Sequence, residues 1–191
     1  MLADGSIHLR PLQKKDKTPM ASLLNNKKIC DNLRDLIPFP YTEKDAVFFI
    51  NAMKDGDPVT VFAMEYNDAF CGVISLVPQK DVYSKGAEIG YWLGEPFWNR
   101  GIVTTAVRLM TEYGFQQLGF SRLFAGVFEY NPASMKVLEK NGYKKEGIFE
   151  KSIFKNGRLW DEHRYAKVNT QDFPIGASTN GMVGRRDADQ G

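Results

Sequence analysis

A strand–helix–strand–helix series in the middle of the chain constrains the fold more than any other feature of the sequence. Residues 86–93 (GAEIGYWL) are apolar on both faces, which is typical of a strand in the middle of a sheet. Apolar residues then recur at helical spacing after Gly101, and a second doubly apolar strand is predicted at residues 122–130. Residues 131–143 (NPASMKVLEKNGY) predict a short helix. Since a strand–helix–strand unit joins parallel strands, this series predicts a locally parallel sheet.

Antiparallel elements are predicted on both sides of this series, as a first strand and two hairpins. They are residues 6–12, residues 59–79 with a turn at Asn67–Asp68, and residues 148–168 with a turn at Asn156–Gly157. Residues 16–55 favour helix, interrupted at residues 36–42 by two prolines. Together the elements predict the fold class α/β (α+β), with one mixed sheet flanked by helices.

Length and composition favour one domain, which we expect to span residues 1–169 of the 191. Residues 170–191 are rich in Gly, Ser, Thr and charge and predict a flexible C-terminal tail. The net charge of +2 argues against a dedicated nucleic-acid-binding protein. No apolar run is long enough for a membrane span, and the N-terminus lacks the apolar core of a signal peptide, so we expect a soluble cytoplasmic protein with no membrane partner.

The cysteines and histidines give no sign of a metal site. Cys30 and Cys71 are far apart and belong to no recognisable motif, so we expect buried thiols in a reducing compartment. His8 and His163 lie on predicted strands away from the other motifs, and neither is assigned a role. The sequence therefore predicts no metal.

The turn before the first central helix is a candidate anion site. A helix start exposes backbone N–H groups that have no partner inside the helix, and the helix dipole favours an anion there. Gly101 would let a phosphate approach the backbone closely, and Arg100 adds a positive charge. The alternative is that Gly101 only makes a tight strand-to-helix turn. The turn lacks the three glycines of a dinucleotide fingerprint and the GK[ST] of a phosphate-binding loop.

Three ordered blocks of sequence give this turn its context. They are AEIGYWLGEPFWNRGIVTTAV (87–107), NPASMKVLEKNGYKKEGIF (131–149) and KNGRLWDEHRYA (155–166). In this order and spacing they resemble the GCN5-related N-acetyltransferase (GNAT) superfamily. They resemble most closely its RimJ/RimL-like branch, which contains ribosomal-protein alanine N-acetyltransferases. With two weaker matches, the resemblance covers roughly residues 7–168.

The resemblance implies a GNAT-like sheet and a co-substrate. Two central parallel strands, here 87–93 and 122–128, would splay apart to admit acetyl-CoA. The implied partners are acetyl-CoA and an amine acceptor, in a monomer or a homodimer, with neither a metal nor a nucleic acid. The residues implied in acetyl-CoA binding are Trp92, Leu93, Asn99, Arg100, Gly101, Ile102, Val103, Thr104 and Asn131.

The chain departs from the family pattern at three positions. The pattern in the turn is Gln or Arg, two residues, Gly, one residue, then Gly or Ala, and here Trp98 and Val103 stand at its first and last positions. Val103 still has the backbone N–H that a phosphate needs, so we expect binding to survive. Leu138 stands where many superfamily members carry a tyrosine that protonates the leaving thiolate.

Glu88 and Ser134 are the candidate catalytic residues. Glu88 is a charged residue on an otherwise apolar strand, where alternation places it on one face with Gly90 and Trp92, and the resemblance implies that it is the base. A salt bridge near the start of the strand is the alternative. The resemblance implies the acid role for Ser134, in the pattern NPxS, and a serine that only occupies the first turn is the alternative. Asn131 is expected to cap this helix and to bind pantetheine.

The acceptor is predicted less narrowly than the donor. Phe39 and Tyr41, with Trp92, are candidates for the wall that binds the amine, and core or lid aromatics are the alternative. The resemblance implies direct transfer, in a ternary complex, to the α-amine of a protein N-terminus. One alternative acceptor is a small-molecule amine (polyamine, amino acid or antibiotic), for which Asp55 and Asp57 offer carboxylates that also suit a solvated turn. Another alternative is an acyl-CoA-binding module without catalysis.

Overall fold

One eight-stranded sheet with helices on both faces makes up the molecule. The computed structural model describes residues 1–53 and 56–170, so Asp55 and all but the first residue of the predicted tail lie outside the described residues. The strands are β1 (Leu2–Asp4), β2 (Ile7–Pro11), β3 (Val61–Tyr66), β4 (Ala69–Pro78), β5 (Gly86–Leu93), β6 (Arg122–Phe128), β7 (Lys144–Lys155) and β8 (Arg158–Val168). The helices are α1 (Lys17–Leu24), α2 (Lys27–Cys30), α3 (Glu43–Met53), α4 (Ile102–Gln116) and α5 (Pro132–Lys140).

The strands lie in the order β1-β2-β3-β4-β5-β6-β8-β7. Only β5 and β6 pair in parallel among the described strands, and the other neighbours are antiparallel. The predicted mixed sheet with a central parallel pair is therefore confirmed. The β3–β4 turn at Asn67 and Asp68 has two positive φ angles of 49° and 62°, as the predicted two-residue hairpin requires.

Two strand predictions differ from the structure. The strand β1 was not predicted, because three residues beside a Gly5 turn are too few to show an alternating pattern. The closing hairpin is longer than predicted, since β7 begins at Lys144 rather than at residue 148. Its first residues are mostly charged and exposed, which hides the strand in the sequence.

Each face of the sheet has its own hydrophobic core. On one face, α4 and α5 pack over a cluster that includes Ile89 and Leu123. On the opposite face, α1 and α3 pack over a cluster that includes Val61 and Val73. Within the described part of the chain, no helix has both the length and the apolar character needed to cross a membrane.

The sheet opens in its middle, between β5 and β6. Their register pairs are Gly86 with Arg122, Ala87 with Leu123 and Glu88 with Phe124. No further β5–β6 pair occurs among the described residues, although β5 continues to Leu93 and β6 to Phe128. Each strand keeps its outer neighbour along its full length, so the two halves of the sheet diverge beyond Glu88. We call the gap between residues 89–93 and 125–128 the fork.

Candidate active site

Glu88 lies at the closed end of the fork. It belongs to the last register pair before β5 and β6 separate. Strand alternation places it with Gly90 and Trp92 on the α1–α3 face, where Trp92 packs against that cluster. The carboxylate is one-fifth exposed and forms an ion pair with the guanidinium of Arg34. The salt bridge that the sequence analysis gave as the alternative is therefore present. It is formed by Glu88, the residue expected to be the base.

Arg34 reaches Glu88 from the loop after α2 and remains largely exposed. An ion pair with an exposed partner contributes about 0–1 kcal/mol, because water screens it and the long side chain loses rotamer freedom. The Glu88–Arg34 ion pair therefore contributes little to the stability of the fold.

A cavity of about 260 Å³ adjoins this face of the fork, and we call it the inner cavity. Arg34 and Asp35 form one wall, and Gly126 and Phe128 of β6 contribute on the side of the sheet. The β7–β8 hairpin closes the opposite side with residues that include Glu162. The inner cavity thus lies between the loop that carries the partner of Glu88 and the hairpin that follows the fork.

Glu162 is a second carboxylate at this site, and the sequence did not reveal it. It lies directly over β6, because a methyl group at Gly126 would come within 2.6 Å of the Glu162 carboxyl carbon. Glu162 also accepts two hydrogen bonds from Arg164, at 2.6 and 3.0 Å. The register that pairs β6 with β8 creates this contact, and no local pattern around WDEHRY encodes it.

Ser134 lies on the other face of the sheet, on the first turn of α5. Its backbone N–H donates to the Oδ1 of Asn131 at 3.1 Å, so Asn131 caps the helix as predicted. Its Oγ lies 2.8 Å from the Oη of Tyr91, which belongs to β5. The Tyr91 hydroxyl also donates a longer bond, 3.4 Å, to the Ser134 carbonyl. The serine hydroxyl is therefore held by a tyrosine from the fork.

Leu138 stands where many superfamily members have a tyrosine, and Tyr91 supplies a phenol hydroxyl next to Ser134, which lies on the same helix as Leu138. Leu138 is fully buried in the core between α5 and the sheet. Burial raises the pKa of Tyr91 to about 12, and the hydrogen bond with Ser134 opposes this shift only in part. Tyr91 therefore keeps its proton at neutral pH and can act as a permanent donor.

The backbone of the turn before α4 is left-handed at Gly101. Gly101 has φ +74° and ψ 0° and caps the helix, and Asn99 also has a positive φ of 60°. The indole N–H of Trp98 donates to the carbonyl of Leu93 at 2.8 Å, which ties the turn to the end of β5. The aromatic departure from the family pattern thus has a structural role. Arg100 lies over the ring of Tyr66, 5.9 Å from its centroid.

The remaining residues predicted to bind acetyl-CoA occupy the start of α4. Ile102 is buried in the core, and Val103 packs against that core from a half-buried position. Thr104 accepts a hydrogen bond from Asn141 through its carbonyl, at 3.1 Å, which links α4 to the end of α5. The turn is therefore fixed to both β5 and α5.

The residues of the predicted acceptor wall lie in different environments in the structure. Tyr41 is a core residue, because its ring is buried beneath α1 and its hydroxyl donates to the Sδ of Met20 at 3.7 Å. Phe39 is 56% exposed on the loop before α3, and Trp92 is half-buried against Phe70. Of the three predicted wall residues, Phe39 is exposed, Trp92 is partly buried and Tyr41 belongs to the core.

The structure corrects the burial predicted for one of the two cysteines. Cys71 is fully buried, as expected, and burial raises the pKa of its thiol to about 12. The prediction of a buried thiol is wrong for Cys30, which is partly exposed because it ends the short helix α2. In residues 1–53 and 56–170, no group of three or more His, Cys, Asp or Glu residues is arranged to hold a metal ion.

The fold and the fork can now be compared with known proteins. A family model described as an acetyltransferase (GNAT) domain matches residues 6–144 of the chain. The chain belongs to the GNAT acetyltransferase family. The fold is similar to that of a solved structure, the RimL ribosomal L7/L12 α-N-protein acetyltransferase in complex with coenzyme A. The TM-score is 0.76 at 22% identity, covering 86% of this chain and 95% of that one.

Other GNAT proteins are closer in sequence. YnaD of Bacillus subtilis, an uncharacterized N-acetyltransferase, is 33% identical over 66% of this chain and 74% of its own length. YjcK of Bacillus subtilis, named a probable N-acetyltransferase, is 39% identical over 56% of this chain, which spans only 58% of the length of YjcK. The structure of the microcin C7 self-immunity acetyltransferase MccE, in complex with acetyl-CoA and AMP, has a TM-score of 0.74 and 27% identity, covering 87% of this chain and 94% of MccE.

Proposed function

We propose that this GNAT protein transfers the acetyl group of acetyl-CoA directly to the α-amine of a protein N-terminus. The observation that carries the proposal is the arrangement at the fork. A carboxylate, Glu88, lies at its closed end on the face of the inner cavity, and a hydroxyl pair, Tyr91 and Ser134, lies on the other face. A thioester placed in the fork would have a base on one side and a proton donor on the other.

Acetyl-CoA would be held by backbone groups around the turn before α4 and along the end of β5. The positive φ of Gly101 opens the helix start to a pyrophosphate, and the first N–H groups of α4 favour its negative charge. The pantetheine arm would enter between Leu93 and Asn131, where β5 no longer pairs with β6. Asn131 caps α5 through its Oδ1, so its side-chain NH2 is the group available to pantetheine.

The proposed reaction uses Glu88 on one face of the sheet and Ser134 on the other. The nitrogen of the neutral amine forms a bond to the thioester carbon, and its proton passes to Glu88, directly or through water. The carbon–sulfur bond then breaks, and Ser134 supplies a proton to the departing sulfur and recovers it from solvent after the products leave. The positive end of α5 stabilises the negative charge that develops on the sulfur.

An α-amine suits this mechanism better than a lysine side chain. Deprotonating an amine with a pKa near 8 costs about 1 kcal/mol at pH 7, whereas a lysine amine with a pKa near 10.4 costs about 4–5 kcal/mol. One relative is named for a ribosomal-protein serine as acceptor. The ribosomal-protein-serine acetyltransferase of Escherichia coli is 31% identical over 56% of this chain and 60% of its own length.

A polyamine is the second candidate, because a relative and the carboxylates of the site both favour it. The spermidine N(1)-acetyltransferase of Escherichia coli is 26% identical over 80% of this chain and 81% of its own length. However, the carboxylates around the inner cavity already have cationic partners. Glu88 pairs with Arg34, Glu162 with Arg164, and Asp35 with Lys155. A polycation would have to displace several of these partners, so the N-terminal amine is preferred.

A thiol-release assay with acetyl-CoA tests the proposal. The acceptors are peptides with a free N-terminal Ala, Ser or Met, their N-acetylated forms, spermidine, free amino acids and amine antibiotics. We expect release with the free peptides and a loss of about 100-fold or more in kcat for Glu88→Gln and Ser134→Ala. Glu146→Gln is the control, since Glu146 also pairs with an arginine, Arg122, on an exposed part of the sheet.

Each other outcome of this assay contradicts a defined part of the proposal. Turnover of spermidine without turnover of peptides would assign a polyamine acceptor. Acetyl-CoA binding with no release on any amine would indicate a binding module. Full activity of Ser134→Ala would remove the proposed acid.

A further inference from the structure

The segment between the fork and the turn before α4 also contacts the helices on the opposite side of the sheet from α4. Residues 94–97 form this segment, and we call them the connector. The backbone N–H of Gly94 donates to the carbonyl of Cys71 at 2.8 Å, so β4 holds the start of the connector. Glu95–Phe97 form one turn of 3-10 helix, closed by the N–H of Phe97 on the carbonyl of Gly94 at 3.0 Å. The connector is therefore a compact element fixed to the sheet.

Glu95 of the connector binds the first turn of α2 with both of its carboxylate oxygens. One oxygen accepts a hydrogen bond from Nδ2 of Asn26 at 2.5 Å, and the other accepts one from the ammonium group of Lys28. The Oδ1 of Asn26 in turn accepts from the backbone N–H of Lys28 at 2.9 Å and caps α2. The hydrogen bonds from Lys28 and Asn26 lower the pKa of Glu95, so this carboxylate is ionised at neutral pH.

Gly94 gives the connector a second contact, with the end of α1. A methyl group at Gly94 would come within 2.7 Å of one methyl group of Leu23 and 3.0 Å of the other. Any residue can adopt the φ of −58° at Gly94, so the constraint there is space rather than backbone conformation. Leu23 therefore packs directly on the backbone of the connector. The corner between α1 and α2 is held at two points, through Leu23 and through the first turn of α2.

Backbone hydrogen bonds carry this fixed position from α2 to the partner of Glu88. The N–H groups of Asp31, Asn32 and Leu33 donate to carbonyls three or four residues earlier, at 2.9 to 3.0 Å. Arg34 follows directly, where it forms the ion pair with Glu88 and contributes to the wall of the inner cavity. A displacement of α2 from the connector would therefore move this wall relative to Glu88.

We infer that Glu95 is a positioning residue for the transfer reaction. Its carboxylate holds α2 on the connector and so sets the separation between the Arg34 wall of the inner cavity and Glu88. Glu95 acts through α2, and the inference rests on the role proposed for Glu88. Because an exposed ion pair contributes little to folding, the loss of Glu95 should affect use of the acceptor more than stability.

Kinetics with a peptide that has a free N-terminus test the inference. Glu95→Ala should raise the KM of the peptide about tenfold, because α2 then leaves the connector for most of the time, and should leave the Kd of acetyl-CoA unchanged in calorimetry. Glu95→Gln should recover most of the loss, since its amide oxygen still accepts from Asn26. Glu112→Ala is the matched control, because Glu112 is an exposed carboxylate paired with Arg108 on α4 and should leave the KM unchanged.

A compensating pair of substitutions tests the Gly94 contact independently of Glu95. Gly94→Ala should raise the KM of the peptide about fivefold, because its methyl group displaces Leu23 and α1 from the connector. Adding Leu23→Ala removes the clashing methyl groups and should return the KM toward the wild-type value. Amide hydrogen exchange in residues 27–34 should be faster in Glu95→Ala and in Gly94→Ala than in the wild type. Thermal unfolding identifies any loss of folding.

Two results would overturn the inference. An unchanged peptide KM in Glu95→Ala would show that α2 needs no anchor on the connector. A Kd of acetyl-CoA that rises as much as the peptide KM would place Glu95 in the donor site instead. A failure of the proposed function is distinct from both, since it would appear as spermidine turnover without turnover of any peptide. The same variants are then compared through the KM of spermidine, where the same two results overturn the inference.

Discussion

Tyr91 brings a phenol from the fork to within 2.8 Å of the Ser134 hydroxyl, and the two residues are 43 positions apart in the chain. The Tyr91 hydroxyl lies within hydrogen-bonding distance of Ser134 Oγ, and whichever of the two donates, the contact fixes the direction of the serine hydroxyl. Tyr91 therefore acts through Ser134 and orients the hydroxyl that the proposed mechanism requires.

Replacing Tyr91 by phenylalanine tests this role at the residue scale. We expect Tyr91→Phe to lower kcat about tenfold, the effect of about one hydrogen bond, while the Kd of acetyl-CoA stays constant. Adding Tyr91→Phe to Ser134→Ala should cause no further loss, because both act on one group. The control is Tyr143→Phe, since Tyr143 also shares a buried hydroxyl contact, 2.9 Å to Thr111, on the same face of the sheet. Equal kcat losses in the two tyrosine variants would contradict the positioning role.

The raised pKa of Tyr91 also predicts a pH dependence of stability. In the unfolded chain a tyrosine ionises near pH 10, whereas burial raises the pKa of Tyr91 to about 12 in the folded protein. Between these values the folded state retains a proton that the unfolded state has lost, so the free energy of unfolding falls as the pH rises above about 10. Urea unfolding between pH 8 and pH 11 should show a shallower fall in Tyr91→Phe than in the wild type. Identical slopes would exclude this contribution.

The sequence motifs and the family resemblance made Glu88, Ser134 and the glycine turn candidates, because each belongs to a local pattern that can be read along the chain. Tyr91 and Glu162 were missed because no local pattern in the sequence shows their contacts. Their roles depend on contacts across elements, from β5 to α5 and from β8 to the Gly126 position of β6. A tyrosine in an apolar strand and a glutamate in an exposed hairpin carry no local sign of such contacts.

At the scale of elements, the turn between β5 and α4 depends on the backbone conformation of Gly101 and on the side chain of Trp98. Gly101 has φ +74°, and a side chain there would meet no atom within 4 Å, so the constraint is the backbone conformation rather than space. Trp98 ties the same turn to the end of β5, which keeps the start of α4 in position beside the fork. The conformation of Gly101 and the tether through Trp98 together set where a pyrophosphate would meet the helix.

Alanine substitutions at two glycines separate the backbone effect from the binding effect. Gly101→Ala and Gly119→Ala should each destabilise the fold by about 1–2 kcal/mol, because both positions have left-handed φ angles. Only Gly101→Ala should weaken acetyl-CoA binding, about tenfold, since its methyl group and the altered turn oppose the approach of the phosphates. Calorimetry gives the Kd. Unchanged acetyl-CoA affinity in Gly101→Ala would move the pyrophosphate site elsewhere.

The strands and helices with strong periodicity were predictable as elements, and the parallel pair followed from the strand–helix–strand order. The strand β1 and the beginning of β7 were not, since three residues or a charged, exposed segment show no hydrophobic pattern. The separation of β5 and β6 was expected only from the family resemblance, which did not indicate that the last pair is at Glu88. Gly90 of β5 and Gly126 of β6 lie beyond Glu88, but neither identifies the last paired residue in the sequence.

At the scale of the whole molecule, a buried ionic cluster fastens β2 to β3 and to the segment before α1. Arg10 donates to both carboxylate oxygens of Asp16, at 2.7 and 2.8 Å, and to Glu65 at 2.7 Å. Hydrogen bonding to Asp16 and Glu65 raises the pKa of the guanidinium above its ordinary value, against the effect of burial. All three residues are at least nine-tenths buried, so water cannot replace a missing partner.

Removing the arginine should therefore destabilise the whole domain without altering the chemistry at the fork. Arg10→Met leaves the buried Asp16 without a charged partner and leaves Glu65 only the exposed Lys15, 3.9 Å away, so it should lower the free energy of unfolding by about 3–5 kcal/mol. Arg108→Met is the control, because Arg108 pairs with Asp4 and Glu112 on the surface and should change stability by less than about 1 kcal/mol. Urea unfolding measures both. A loss below 1 kcal/mol in Arg10→Met would show that the cluster contributes no more than a surface pair.

The central claim, acetyl transfer to an N-terminal α-amine, is tested most directly by competition within one molecule. A hexapeptide with a free N-terminus and an internal lysine is incubated with acetyl-CoA and the protein at pH 7, and tandem mass spectrometry locates the acetyl group. The account predicts acetylation of the α-amine, with none on the lysine during the first turnovers and no product with Glu88→Gln. Acetylation of the lysine in preference to the α-amine would contradict it.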